Sequence, residues 1–514
     1  MTGSAPPAAP VAVGTLAALC TAQLALYVVT SGPLAYGYMS DEFYYLDCAS
    51  RLAFGYVDHP PLSIAALAVL RGTLGDSLFA LHLLPALAAC ANLVLLVLLA
   101  RELGGGRRAQ MLAAVAGFSA PVYQAVAGFY SMNAFEPAFW TGAAWLLARI
   151  GNGAGLAGWA LLGVVLGLGL LNKLSVLWLG FGLLLGLLCT PMRRHLAGPG
   201  PWLTGAIALM IFAPHLVWQV EHGWPTLEFM RNATQQKMLR KSPLAFAGEQ
   251  LLVLGPLCAV VWLAGLAWYF GSVRGRRQRV LAFIWIGTLG ILVASGSARS
   301  SYSAPAYCVL LAAGGVAWEA LTHTRLRALP TVLALLLLLE GAASVPLAVP
   351  LLPPERVATY AARIGVDAPR DQVDDPGALP LHLGLRFGWP ELAQAVARAS
   401  ETLTPAERTD SVVLARSFGE AGALNHFGRA LGLPPVVSGH NNYWLWGPGE
   451  HSGDVAIVLA DSDAELSRWY RSVERVGSVE CRWCIPALDG TSIFVCRGLR
   501  APREELWASL RHYQ

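Results

Sequence analysis

The chain has 514 residues, 55% hydrophobic and only 13% charged, with a formal net charge of +4. Soluble domains carry about 25% charged residues, so this deficit excludes an ordinary soluble protein and places the chain in the membrane class. The arginines fall in short clusters between apolar runs, which leaves none of the continuous basic field that binding nucleic acid demands.

Apolar segments long enough to cross a bilayer recur along the first 350 residues. Eleven spans are predicted, at 11–30, 79–100, 109–127, 134–150, 156–171, 174–190, 202–219, 248–270, 280–296, 302–320 and 328–348. Residues 1–10 lack the basic start of a cleavable signal, so 11–30 reads as an uncleaved first span. The stretch 62–74 is short and reads as a helix lying at the interface. Gly182 and Gly186 have the spacing of a helix-packing pair, although such pairs are common in Leu/Gly-rich spans.

Basic residues set the orientation. Arg101, Arg107 and Arg108 form one cluster, Arg193 and Arg194 a second, Arg274, Arg276, Arg277 and Arg279 a third, and Arg325 and Arg327 a fourth. With these spans all four fall on one side, which is read as cytoplasmic together with the N-terminus. The loops 31–78, 128–133, 220–247 and 297–301 then lie outside, as does the tail from 351. Arg231, Lys237, Arg240 and Lys241, in the loop 220–247, dissent.

The tail has soluble character. Strand-like runs at 411–415, 455–460 and 492–496 and helical patterns at 390–401 and 463–474 predict a small α/β unit. The expected architecture is an all-α polytopic membrane domain over 1–350 with a C-terminal extracytoplasmic α/β domain over 351–514. Cys20, Cys48, Cys90, Cys189, Cys258 and Cys308 sit in or beside apolar segments, where cysteine behaves as a small hydrophobe. Cys481, Cys484 and Cys496 lie in the tail without the second Cys-x-x-Cys of a zinc ribbon. One disulfide in an oxidising compartment is expected among them, its pairing open.

Polar residues gather in the outer loops. Asp41-Glu42-Phe43-Tyr44-Tyr45 follows the first span, and Asp58-His59-Pro60-Pro61 comes shortly after. Ser40 can cap a short helix carrying both acids, with Tyr44 and Tyr45 facing inward. Helix-dipole complementation alone accounts for two acids. It does not account for Asp58 and His59 on a rigid double-proline turn beside them, so the loop reads as a catalytic site. At the third–fourth junction Asn133 fits a cap and Glu136 sits at membrane depth, so both are candidates for the same cavity. Lys173, at the fifth–sixth junction, either snorkels or holds an anionic head group. Arg299, with Tyr302 nearby, either marks the end of a span or grips phosphate through its guanidinium fork. Trp218, His222 and Trp224 read as an interfacial aromatic belt.

Together these motifs resemble the GT-C membrane glycosyltransferases, and most closely family 39, the protein O-mannosyltransferase-like group whose relatives include the lipid A aminoarabinose transferases. The resemblance is carried by Asp41-Glu42, His59-Pro60-Pro61, Asn172-Lys173 and the Tyr-x-x-Pro-Ala-Tyr segment from Tyr302 to Tyr307, and it covers about residues 11–350. The tail segments from Phe418 to Ala423 and from Ser438 to Gly447 resemble tails of bacterial members. The resemblance implies an inverting transferase in the bacterial inner membrane, with its site and tail on the extracytoplasmic side. Its donor is a sugar linked to polyprenyl phosphate, and its acceptor a lipid, an envelope glycan or a protein. Asp41 is the implied general base, with Glu42 and Asp58 beside it. His59, Lys173, Arg299 and Tyr302 face the donor phosphate, and Tyr44, Tyr45, Asn133 and Glu136 line the cavity. Two departures stand out. His59 occupies the place of a lysine in the aminoarabinose enzymes, and Asn133 occupies the place of a second acid. The latter weakens a two-acid metal site and leaves a divalent metal open. A transporter or flippase of lipid-linked sugars shares the many spans. However, transporters place charges at mid-membrane and show paired repeats, whereas here the polar residues gather at one interface. A scaffold displaying the tail leaves the Asp41–Pro61 cluster unexplained.

Overall fold

The computed structural model describes residues 9–322, 326–365 and 375–514; Arg325 of the fourth basic cluster lies outside the described residues. Five helices are long and apolar enough to cross a membrane: Val13–Ser31, Leu78–Glu102, Gly200–Glu221, Ser300–Leu321 and Leu329–Ala348. Two further pairs, Val176–Cys189 with Pro191–Ala197 and Pro243–Leu254 with Cys258–Gly271, are bent by 102° and 115°. By length and composition the described residues therefore hold five spans, or up to seven with the bent pairs, where eleven were predicted.

Most of the difference has a local cause. The predicted span 109–127 breaks into Arg107–Ser119 and Pro121–Ala127, because Pro121 drives Ala120 into an extended conformation. The predicted span 248–270 breaks at Gly255, whose φ of 93° suits glycine, just before Pro256. The segments 156–171 and 280–296 form apolar helices, Leu156–Asn172 and Val280–Ser295, that are shorter than a full crossing. The interfacial stretch is a helix, Leu62–Leu74.

Small residues let the helices approach closely. A Cβ on Gly182 would stand 2.6 Å from the Ile284 Cα, and one on Gly186 would stand 2.7 Å from the Val280 carbonyl. Van der Waals contact between close backbones drives association where lipid removes the hydrophobic drive. Helix Cys308–Leu321 occupies the centre, with Val309, Leu310, Leu311, Ala312 and Ala313 fully buried.

The tail carries a five-stranded mixed sheet in the order β2-β1-β3-β5-β4. The strands are β1 Val412–Ala415, β2 Val436–Ser438, β3 Val455–Ala460, β4 Tyr470–Ser478 and β5 Ser492–Leu499. β1 runs parallel to β2 and β3, and β5 runs antiparallel to β3 and β4. The predicted helix 463–474 is a correction: only Leu466–Trp469 is helical, and Tyr470 onward pairs with β5, Val473 opposite Cys496. Helical spacing was present there, but ladder pairing overrides it. Cys481 and Cys484 form the disulfide, and Cys496 is a free, buried thiol in β5.

The tail does not stand apart from the membrane region. Helix Phe418–Gly428 lies across the loop helix Ser40–Ala49. A Cβ on Gly422 would stand 2.7 Å from the Phe43 Cβ and 2.8 Å from its carbonyl carbon. The Ser40 amide donates to the Leu385 carbonyl at 3.1 Å. Gly422→Leu is therefore expected to cost about 1–3 kcal/mol by overpacking. The check is the apparent melting temperature of the full chain in detergent, and an unchanged value would show that the two surfaces do not bear on each other.

Candidate active site

The loop helix begins at Ser40, and its first turn presents Asp41 and Glu42 in different directions. Glu42 points into the protein and is fully buried. Its Oε2 accepts from the Met39 amide at 2.8 Å, completing the helix cap. Its Oε1 accepts from the Tyr130 amide at 2.7 Å and lies 2.7 Å from His82 Nε2. His82 Nδ1 in turn meets the Ser31 hydroxyl at 2.8 Å. Burial works to raise the Glu42 carboxyl, but pairing with His82, the Arg386 charge and the Tyr130 amide outweigh it and hold the group below its ordinary value.

Asp41 points the other way and is only partly buried by its neighbours. The Ser40 hydroxyl donates to its Oδ1 at 3.1 Å. Loss of water raises its carboxyl above the ordinary value, Asp58 adds to the rise, and Lys237 and Arg299 oppose it. Asp41 is thus an acid facing two cations that arrive from distant loops.

Asp58 accepts from the Tyr44 hydroxyl at 2.8 Å. His59 is fully buried among aromatic rings, stacked on Tyr45 at 4.8 Å and flanked by Tyr56 at 4.8 Å and Tyr44 at 5.7 Å. Its Nε2 lies 3.9 Å from Asp58 Oδ1 and, among the described residues, has no hydrogen-bond partner. The structure therefore places His59 behind Asp58. The Tyr45 hydroxyl receives the Met132 amide at 3.4 Å, tying this loop to the next.

A second cluster forms at the ends of other helices. Lys173 Nζ donates to Asn133 Oδ1 at 2.7 Å and to Glu136 Oε2 at 2.6 Å, and the Ser175 hydroxyl donates to Glu136 Oε1. Lys173 lies 5.0 Å from the Tyr302 ring centroid, and the Arg299 guanidinium lies 5.9 Å from the same ring. Arg299, which also acts on Asp41, links the two clusters.

The sequence reading brought together Asp41, Asp58, Lys173, Arg299 and Tyr302 but gave no role to three residues. Lys237 carried a signal, since it lies in the outer loop whose basic residues dissented from the orientation. His82 carried none, being one polar residue within an apolar span. Asn442 lay in a tail segment of recognised resemblance, and here its Oδ1 meets the Tyr44 hydroxyl at 3.1 Å and the Val57 amide at 2.7 Å.

The donor set does not fit a metal. Among the described residues, the one group of three His, Cys, Asp or Glu ligand atoms lying within 4.8 Å of one another is Cys481, Cys484 and Asp489, and its cysteines are bonded to each other. Asp41, Asp58 and His59 do not converge in that way.

Residues 58–218, about a third of the chain, match the family described as dolichyl-phosphate-mannose-protein mannosyltransferase. That stretch includes Asp58, His59, Asn133, Glu136 and Lys173. No curated protein matches. The fold is similar to ArnT from Cupriavidus metallidurans bound to undecaprenyl phosphate, with a TM-score of 0.59 and 16% identity over 94% of this chain and 98% of that one. The apo state of ArnT gives a TM-score of 0.59 and 17% identity over 98% of this chain and 100% of that one. The arabinofuranosyltransferase AftD from Mycobacteria gives a TM-score of 0.52 and 16% identity over 94% of this chain and 40% of that one. At these identities the solved structures show the fold. With the family match they bear out the resemblance to GT-C membrane glycosyltransferases, the glycosyltransferase class that goes with it, and the multi-pass membrane character.

The two neighbouring acids are expected to affect stability with opposite signs. For Asp41 the folded value is raised, so ionisation costs stability as pH climbs from its ordinary 3.8 through the folded value, and the cost persists at neutral pH. For Glu42 the folded value is lowered, so its contribution is present above its ordinary 4.5 and is lost as pH falls through the folded value. At neutral pH Asp41→Asn should therefore melt at or above wild type. Glu42→Ala should lose about 3–5 kcal/mol, the scale for breaking a buried pair. Thermal melting of both variants in detergent checks this, and a lower melt for Asp41→Asn would contradict it.

Proposed function

We propose that this chain is an inverting glycosyltransferase that moves a sugar from a polyprenyl-phosphate donor to an extracytoplasmic acceptor, with Asp41 as general base. The observation that carries the reading is the contrast within the first turn of the loop helix. Glu42 is sealed by three partners, whereas Asp41 accepts from the Ser40 hydroxyl and feels the charges of Lys237 and Arg299. The finer topology belongs to the same reading: eleven spans in a bacterial inner membrane, residues 1–350 as the membrane domain, and 351–514 outside with the site. ArnT, which shares the fold, was solved with undecaprenyl phosphate bound, and this supports a polyprenyl phosphate donor here.

In this mechanism an acceptor hydroxyl oxygen attacks the anomeric carbon and its proton passes to the Asp41 carboxylate. The bond from the anomeric carbon to the phosphate oxygen breaks on the opposite face, and the electron pair leaves with the polyprenyl phosphate. Arg299 and Lys173 stabilise that departing charge, and both lie near the Tyr302 ring. Glu136 and Asn133 fix Lys173 in the orientation from which it can reach phosphate. His59, sealed behind Asp58, acts on that carboxylate rather than on the donor.

Asp41→Asn in the purified full chain, supplied with polyprenyl-phosphate-linked sugars, should lose about 10²–10⁴-fold in turnover. Near-normal turnover would remove Asp41 as the base. The acid limb of the wild-type pH profile should lie above the ordinary aspartate value. Lys237→Gln and Arg299→Gln should each move it to still higher pH, because both charges favour the ionised carboxyl.

A further inference from the structure

One side chain of the tail bonds directly to the turn that carries Asp58. Asn442 is buried at 2% exposure and starts the short helix Asn442–Trp446. Asn441, just before it, is one of two non-glycine residues with positive φ among the described residues, at 47°. Such conformations persist where the surroundings enforce them. Here the Asn441 amide donates to the His512 carbonyl at 3.1 Å, and the Gln514 amide donates to Asn441 Oδ1 at 3.2 Å. The strained turn aims Asn442 at the Asp58 turn.

The contacts there define an order. The Val57 amide fixes the identity of the facing atom, since only the side-chain oxygen of Asn442 can accept from it. The Tyr44 hydroxyl then stands between two acceptors, Asp58 Oδ1 at 2.8 Å and Asn442 Oδ1 at 3.1 Å. It has one proton to give. The hydroxyl is thus shared between the loop acid and the tail amide, and the chain Asp58–Tyr44–Asn442 joins the two parts of the site.

We propose that Asn442, from the extramembrane tail, is a positioning residue for the reaction. It holds the Val57–Asp58 turn through the Val57 amide and gives the Tyr44 hydroxyl a second acceptor, so that Asp58 keeps one place. The tail is then part of the site and not an appended domain. The activity arm of the test rests on the glycosyltransferase reading; the structural arm does not.

The structural arm is amide hydrogen exchange on the full chain in detergent. Asn442→Ala should speed exchange of the peptide containing Val57 at least tenfold while leaving the β3 and β5 peptides unchanged. Asn442→Asp, which keeps an oxygen acceptor, should preserve the protection and guards against a variant that merely misfolds. Unchanged exchange at Val57 in Asn442→Ala would overturn the proposal. The activity arm is transfer from a polyprenyl-phosphate-linked sugar by Asn442→Ala, Tyr44→Phe and the double variant. Each single change should lower kcat roughly tenfold or more with donor KM altered less than threefold. The double variant should be no worse than the poorer single one, because the two residues act through each other. Additive losses, or losses confined to KM, would overturn it. Failure of the wild type to transfer any sugar would fall on the glycosyltransferase reading, while the exchange result still decides whether Asn442 positions the turn.

Discussion

A buried carboxylate organises the loop that follows the first helix. Glu42 sits where an unpaired charge would cost several kcal/mol, and it is tolerated because three donors converge on it. Those donors come from the start of the loop helix, from the span Leu78–Glu102 and from the loop before Met132–Gly151. Arg386, a fully buried guanidinium from the tail, adds its charge and donates to the Gly128 carbonyl at 2.9 Å. One carboxylate thus brings four parts of the chain together. Asp41, one residue earlier on the same helix, inherits its direction from that fixation.

This explains why two adjacent acids differ so much. Neighbouring residues on a helix point about 100° apart. Once Glu42 is committed to its pair with His82, Asp41 takes a different direction. Its surroundings include the charges of Lys237 and Arg299, and Arg299 shares the Tyr302 ring with a third cation, Lys173. The Lys173–Glu136 pair restrains one of those cations, so the positive charge at the site is held in place rather than left to a flexible side chain.

Much of this was legible in the sequence, and the failures have physical causes. The acids, the His-Pro-Pro turn and the Asn-Lys junction stood out because charge beside a bilayer is costly. The division of roles between Asp41 and Glu42 did not, because it depends on His82 and Tyr130, which are far away in the chain. Lys237 was visible only as a charge on the wrong side for an orientation rule. That rule describes loops without a task, and a cation beside Asp41 has one. Breaks at Ala120 and Gly255 were signalled by the prolines that follow, yet the apolar runs continue through both and hide them. The residues from Tyr470 carried helical spacing, and their strand exists because β5 offers a partner.

The compositional change near residue 350 also reads differently in three dimensions. One packed cluster joins Phe43, Tyr44, Tyr45 and Tyr56 of the first loop with Trp389, Leu392, Leu424 and Tyr443 of the tail. The loop helix has ten residues, too few to be stable alone in water. Its inner face leans on Glu42 and the spans, and its outer face leans on Gly419 and Gly422 of the helix laid across it. Two glycines there allow the backbones to meet without intervening side chains, so the tail contributes shape where the spans contribute charge pairing. A helix held on both faces loses little by carrying one unfavourably placed acid. That tolerance suits the general base proposed at Asp41, whose affinity for protons burial raises.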